Sequence, residues 1–227
     1  MSIEDNENIY IIEEEKEIDN SPMNFAAYNK EEEDVEEDFK ERKSRKTTFA
    51  LLFKIMFNPV EGWKSLRRSR NNIESLQGGC FYPILALLAV SHFAEFFYSV
   101  NATLSSVMTQ AVVTFVAFFF SFFCIQLILS WVMPKELISA FDNTYGKEYI
   151  LISLSTLALF SIITNILPML WPILIFLPIW TLYIMFKGVR FFKLPEKYEM
   201  KFFVVSSASV IGMPLLIDWI LNTILPY

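Results

Sequence analysis

The stretch FYPILALLAVSHFAEFFYSV, residues 81–100, decides the fold class of this 227-residue chain. It is almost continuously apolar, and an α-helix needs about twenty such residues to cross the hydrocarbon core of a bilayer. Four further apolar stretches follow, at about 107–133, 149–167, 169–187 and 202–225. The sequence therefore predicts an all-α polytopic membrane protein with a bundle of five transmembrane helices.

Proline residues mark where two of these helices meet. Pro168 separates the third stretch from the fourth, so we expect the two to form a tight hairpin. Pro172 and Pro178 are predicted to lie inside the fourth helix, and Pro214 inside the fifth. Membrane helices tolerate such prolines because neighbouring groups satisfy the carbonyls that each proline leaves without a donor.

The charge of the chain divides it into two unlike parts. Residues 1–41 carry sixteen acidic and three basic residues, whereas residues 42–227 carry nine acidic and sixteen basic residues. Residues 1–46 are predicted to form a disordered acidic tail, because they bury too little apolar surface to offset the entropy of ordering. The tail is either a solvated arm or a tether for a basic protein partner. It contains no apolar signal-peptide core, so we expect the first membrane helix to direct insertion.

Residues 47–78 are predicted to form an amphipathic basic interfacial segment ahead of the transmembrane domain at 79–227. Its apolar part, FALLFKIMF at 49–57, is too short to span a bilayer, and bases flank it on both sides. Such a helix is typical of the membrane interface. A soluble connector helix is the alternative for its second half.

The tract Asn58-Pro59-Val60-Glu61 has the pattern of a second helix start. Asn58 is the predicted N-cap, Pro59 the first helical residue, and Glu61 is placed to reach back to the cap. Trp63 and Leu66 then share one face. Four bases of this helix are predicted to bind anionic lipid headgroups: Lys64, Arg67, Arg68 and Arg70.

The distribution of Lys and Arg predicts the orientation. The basic residues lie before the first helix, between the second and third, and between the fourth and fifth, whereas the two other loops contain none. Positively charged loops stay on the cytoplasmic side. We therefore expect a cytoplasmic N-terminus and, after five helices, a C-terminus on the outer side.

Three tracts resemble bacterial members of the Yip (Ypt-interacting protein) membrane family. They are FNPVEGWKSLRR at 57–68, FYPILALLAVSHF at 81–93 and TLYIMFKGVRFFKLPEK at 181–197. The resemblance covers about 50–227, omits the acidic tail, and implies five membrane helices with a cytoplasmic N-terminus. Eukaryotic relatives bind prenylated Rab-type GTPases. The Asp-Leu-Tyr-Gly-Pro tract of those members is missing, with Asn143-Thr144-Tyr145-Gly146 the nearest match, which counts against GTPase binding.

Ionisable and amide side chains inside the predicted spans form the candidate functional site. His92 and Glu95 share a face of the first helix, and Asp218 lies at a similar depth in the fifth. A charge at the centre of a membrane helix costs about 2.5–3.5 kcal/mol, so such residues draw attention to function. The predicted polar layer in the outer half of the membrane comprises His92, Glu95, Asn165, Asp218 and Asn222. It is either a proton or cation site with His92 as the titrating group, or a set of hydrogen-bonded contacts between helices. A third alternative is that Asp218 reaches water.

Signatures of catalysis and of metal or cofactor binding are missing from the sequence. It contains no HExxH, GxSxG, GxGxxG or P-loop pattern, and Cys80 and Cys124 lack the spacing of a metal site. We therefore predict no enzymatic activity, no cofactor, no metal and no nucleic-acid partner. The leading hypothesis is a non-enzymatic membrane organiser or adaptor, in the inner membrane if the source is bacterial, with homo-oligomerisation left open. The alternative is a small ion, proton or solute transporter or channel built on the buried carboxylates.

Overall fold

The computed structural model describes residues 48–69, 76–132, 145–170, 172, 176–191 and 196–225, and regular secondary structure in these ranges is helical throughout. The predicted acidic tail at 1–46 and Arg70 lie outside the described residues. The helices are α1 (Thr48–Phe57), α2 (Pro59–Ser69), α3 (Gln77–Phe97), α4 (Leu104–Val132), α5 (Tyr145–Ile166), α6 (Leu177–Val189) and α7 (Glu196–Ile224). The all-α fold class is therefore confirmed.

Four of these helices, α3, α4, α5 and α7, are long and apolar enough to cross a membrane. Their number and composition make the chain a multi-pass membrane protein in contact with the lipid bilayer. At 13 residues, α6 is shorter than the roughly 20 residues that a crossing takes.

The fourth apolar stretch differs from its prediction. A helix over 169–187 was expected with Pro178 in its interior, but α6 begins at Leu177 and Pro178 lies in its first turn. The physical reason is that proline lacks an N–H and is best accommodated where a helix starts. By contrast, Pro214 lies inside α7 as predicted.

The long helix α3 is not uniform along its length. Its first turn, Gln77–Phe81, is a π-helix, and its last six residues, His92–Phe97, form a 3-10 helix. The two ends contact different parts of α5, because Cys80 lies close to Ser155 whereas Ser91 accepts a hydrogen bond from Asn165. The helices α3 and α5 therefore run in the same direction. We call the end at which α5 begins the proximal end and the end at which it finishes the distal end.

The core of the bundle lies around α5. Large side chains along this helix are fully buried, among them Tyr149, Ile150 and Leu154, whereas α7 is the most exposed of the four long helices. α7 packs along α4, α3 lies between α4 and α5, and α6 contacts α5, α7 and α2. This arrangement brings α2 and the proximal ends of α5, α6 and α7 together.

Candidate functional site

The α1–α2 hairpin turns at the predicted helix cap. The Asn58 side-chain oxygen accepts a hydrogen bond from the backbone N–H of Glu61 at 3.3 Å, which confirms Asn58 as the N-cap. The Glu61 carboxylate was expected to accept a hydrogen bond from the backbone N–H of Asn58. Instead it accepts one from Lys64 at 2.9 Å, and the Asn58 N–H donates to the Lys54 carbonyl oxygen. The Lys64 hydrogen bond and charge lower the pKa of Glu61. Gly62 permits the two helices to pack closely, since a Cβ there would lie 2.5 Å from the Ile55 backbone.

Trp63 anchors this hairpin to the bundle. Its side chain is buried, and its indole N–H donates a hydrogen bond to the carbonyl oxygen of Ile184 at 3.1 Å. The Trp63 ring lies 5.6 Å from the Tyr149 ring, centroid to centroid. Both rings rest on Gly188, where a Cβ atom would come within 2.7 Å of Trp63 and 2.9 Å of Tyr149. Only glycine fits at this position without a shift of its neighbours.

Tyr149 extends the contact from α5 to α7. Its hydroxyl donates a hydrogen bond to the Met185 carbonyl oxygen at 3.3 Å and lies 3.4 Å from the Ser206 hydroxyl. Its ring also lies 5.6 Å from that of Phe202. We call Trp63, Tyr149 and Phe202 the aromatic cluster, and it joins α2, α5, α6 and α7 at the proximal end.

Further hydrogen bonds hold the hairpin against α6. The indole N–H of Trp180 donates to the Met56 carbonyl oxygen at 3.0 Å, and the Arg67 guanidinium donates to the Phe191 carbonyl oxygen at 3.0 Å. The hairpin thus follows α6 from its first turn to its end. Trp63 and Leu66 are both buried, which confirms that they share the inward face.

Three of the bases predicted to bind headgroups lie within the described part of α2, on its outward side. Lys64, Arg67 and Arg68 are exposed, with Lys64 paired to Glu61 and Arg67 bonded to α6 as described above. The role of these bases at lipid headgroups stays a prediction.

Glu148 is a buried acid that the sequence analysis missed. Its side chain is 2% exposed, and its Oε2 atom is buried without a hydrogen-bond partner. It lies in the first turn of α5, next to Tyr149 of the aromatic cluster. The predicted span at 149–167 began one residue too late to include it. An acidic residue in the first turn of a helix was the available signal, because a helix N-terminus favours negative charge.

His92 and Asn165 meet at the distal end of α3 and α5. The Asn165 amide donates a hydrogen bond to the Ser91 hydroxyl at 2.9 Å and lies 3.4 Å from Nε2 of His92. The Tyr98 hydroxyl donates a hydrogen bond to the backbone carbonyl oxygen of Asn165 at 2.9 Å. Burial, and secondarily the Glu95 charge, raise the pKa of Tyr98. These contacts tie α3 to α5.

The other members of the predicted polar layer are placed separately. Asp218 accepts a hydrogen bond from Asn222 at 3.0 Å, one turn further along α7. Glu95 is half-buried in the 3-10 segment, one turn after His92. The structure thus brings together His92 with Asn165 and Asp218 with Asn222, and a single functional layer of all five stays a prediction. Across the described ranges, no group of three His, Cys, Asp or Glu side chains could hold a metal ion.

Comparison with known protein families identifies the family of this chain. The sequence model of the Yip1 domain matches residues 53–220, about three-quarters of the chain. The chain belongs to the Yip1 family. The match begins inside α1 and ends inside α7, so the second half of α1 and all of α2 fall within the Yip1 domain together with most of the membrane helices. No curated protein and no solved structure is significantly similar to the chain. Yip1 membership indicates a membrane-associated, non-enzymatic role.

Proposed function

We propose that this Yip1-family protein is a non-enzymatic membrane organiser or adaptor that works through its cytoplasmic face. The observation that carries the proposal is the anchoring of the α1–α2 hairpin by the buried Trp63. A hairpin fixed to α6 by three hydrogen bonds presents its bases at a set position on the bundle. Such a fixed surface suits the recruitment of a partner, because its geometry does not have to be formed on binding.

We further propose five crossings, with α6 making the fourth. The Lys201 ammonium donates to the Val132 carbonyl oxygen at 3.4 Å, and Phe202 contacts Tyr149, which places the end of α4 with the starts of α5 and α7. Gly188 near the end of α6 lies there too. The chain leaves this proximal end along α5 and is back at the start of α7. Between them, α6 contributes about 20 Å of the return path at 1.5 Å per residue.

The proximal end is then the cytoplasmic end. It carries α2 and the basic residues on both sides of α7's start, and positively charged segments remain in the cytoplasm. The N-terminus lies inside, the C-terminus outside, and the cell membrane is the location if the source is bacterial. In this orientation Lys64, Arg67 and Arg68 lie near anionic headgroups, and each base near such a surface contributes about 1 kcal/mol of attraction.

The transporter alternative draws on the polar pairs at the distal end, His92 with Asn165 and Asp218 with Asn222. The hydrogen bonding of Asn165 favours a structural role, because its side-chain amide donates a hydrogen bond to Ser91 of the neighbouring helix. Interhelical bonds of this kind contribute about 0.6 kcal/mol each in a membrane. The hydrogen bond of Asp218 is to Asn222 in the same helix. This bond therefore does not link two helices on either side of a transport path.

One assay with three variants separates the two functions. The variants are deletion of residues 1–46, Glu95→Gln and Asp218→Asn, each compared with the full chain at equal membrane level for rescue of the phenotype of a null strain. The amide substitutions keep the shape and a hydrogen-bonding group but remove the charge. The adaptor predicts that the deletion lowers rescue more than either substitution. If both substitutions abolish rescue and the deletion is harmless, the transporter is correct.

A further inference from the structure

One face of α6 is exposed and combines aromatic and basic side chains. Trp180, Tyr183, Lys187 and Arg190 follow each other at spacings of three and four, so they line one side of the helix. We call these four residues the α6 strip. The opposite face is buried in the bundle and consists of Thr181, Ile184, Met185, Gly188 and Val189. Trp180, Tyr183 and Arg190 are exposed and Lys187 is half-buried, so the α6 strip, together with the neighbouring Ile179, lies on the side of α6 that the described protein leaves open.

The α6 strip lies between two other elements. On one side the hairpin contacts it, through the bond from Trp180 to the Met56 carbonyl and the bond from Arg67 to Phe191. On the other side α7 approaches, with the Phe186 and Phe203 rings 5.4 Å apart in an edge-on arrangement. The two flanks give the strip side walls that an isolated surface helix lacks.

The proximal part of the α6 strip is positively charged, with its cations held in place. The Lys187 ammonium lies 5.3 Å from the centre of the Tyr183 ring, and the Arg190 guanidinium lies 4.8 Å from that of Phe186. Contact with a ring face leaves the N–H groups available to an anion. Residues 176–191 contain no acidic residue to neutralise these charges, and Arg67 adds a third cation beside Phe191.

The other part of the α6 strip is apolar and lies deeper. Trp180 is seven residues from Lys187, about 10 Å along the helix axis. Its indole N–H is already bonded to Met56, so the exposed ring presents its apolar surface next to Tyr183, whose ring centre is 5.1 Å away. A molecule that fits the whole strip has an anionic head and a hydrocarbon tail that extends from it by at least this distance.

We propose that the α6 strip binds a phospholipid whose headgroup carries two phosphates, of the diphosphatidylglycerol class. Its phosphates lie on Lys187, Arg190 and Arg67, and its acyl chains pass over Tyr183 and Trp180. Three fixed cations on two helices can bind two linked phosphates at once. Multivalency therefore raises the affinity for one lipid with two phosphates above that for two separate lipids with one phosphate each. Basic sites between helices on the cytoplasmic side bind lipids of this type. The proposal uses the cytoplasmic orientation of the proximal end and goes beyond the adaptor function.

The test compares lipids at equal charge, using the full chain in nanodiscs of phosphatidylcholine. One set contains diphosphatidylglycerol, and the other contains twice as many molecules of phosphatidylglycerol. Bound lipid is counted by native mass spectrometry, and the affinity is measured by titration. We expect the wild type to retain one diphosphatidylglycerol molecule and to prefer it at least tenfold at equal charge.

Variants assign the preference to the α6 strip. The double substitution Lys187→Gln with Arg190→Gln is expected to abolish the preference, and Trp180→Ala to weaken binding of both lipids. The matched control is Lys54→Gln with Lys197→Gln, which removes two exposed bases outside the strip and should retain the preference. Equal binding of the two lipids by the wild type, or an undiminished preference in the strip variant, overturns the proposal. Deleting residues 1–46 tests the adaptor function separately and should leave the lipid preference unchanged.

Discussion

The proximal and distal ends of the bundle are built differently. At the proximal end Trp63 and Tyr149 are 3% and 0% exposed, and four helices meet around their rings. At the distal end α3 ends in a 3-10 segment that contains no buried residue, and Phe97 and Met169 are 92% and 94% exposed. Buried aromatic side chains that each carry one N–H or O–H group hold the helices together at the proximal end. At the distal end, a few hydrogen bonds join the helices.

The difference indicates where the protein keeps a fixed shape. Buried aromatic residues contribute large apolar area, and their N–H and O–H groups fix the neighbouring backbone in one position. A hydrogen bond between membrane helices contributes much less. The proximal end should therefore hold its geometry when the distal end is perturbed, as the proposed adaptor surface requires.

The largest effect should follow from Trp63→Ala. The substitution removes a buried ring and the bond to Ile184, and truncation of a buried aromatic residue costs about 3–5 kcal/mol of unfolding free energy. Unfolding in a bilayer mimetic measures the loss. Trp219→Ala is the matched control, because Trp219 is 69% exposed and should cost far less. Similar losses in the two variants would show that the aromatic cluster does not hold the proximal end together.

A smaller loss is expected for Gly188→Ala. The added Cβ would lie within 3 Å of both Trp63 and Tyr149, so one ring has to move, and overpacking of this kind costs about 1–3 kcal/mol. The control is Gly212→Ala in α7, where no atom lies within 4 Å of the added carbon. There alanine should be neutral or stabilising, because its helix propensity exceeds that of glycine. A Gly188 variant as stable as this control contradicts the close packing described here.

The distal contacts should give a smaller coupling. A double-mutant cycle of Asn165→Leu with Ser91→Ala isolates their hydrogen bond, for which we expect about 0.6 kcal/mol. The same unfolding assay supplies the four free energies. A coupling energy as large as the loss from Trp63→Ala would remove the contrast between the two ends.

The smallest effect concerns the exposed pair of Glu61 and Lys64. Because Lys64 lowers the pKa of Glu61, the pair stabilises the hairpin above the ordinary carboxyl pKa, and the contribution is lost as pH falls through the lowered value. A carbon-detected NMR titration of Glu61 measures the shift. Lys64→Gln should move the titration of Glu61 upward in pH. An unchanged titration contradicts the contact.

Local sequence patterns predicted the parts of the fold that depend on neighbours in the chain. The Asn58 cap, the shared face of Trp63 and Leu66 and the long apolar helices follow from helical spacing and capping chemistry. The start of α6 was predicted too early, because the hydropathy of residues 169–176 outweighed the signal of Pro178. Proline in the first turn was the better guide.

The aromatic cluster could not be predicted in the same way. Trp63 bonds a carbonyl 121 residues away, and its partner Tyr149 is defined only once α2, α5 and α6 are packed. Gly188 offered a partial signal, since glycine in an apolar helix often marks a close approach. The polar layer was inferred from depth along single helices, which gives no information on which helices are adjacent.

The most direct test of the account is backbone hydrogen exchange of the full chain in nanodiscs, compared between the wild type and Trp63→Ala. We predict slow exchange in α2 of the wild type, because the hairpin is fixed to α6. Residues 98–103 at the distal end should exchange faster. In the Trp63 variant, α1 and α2 should lose protection while the middle of α5 keeps it. Exchange in α2 as fast in the wild type as in the variant would contradict the anchoring of the hairpin by Trp63.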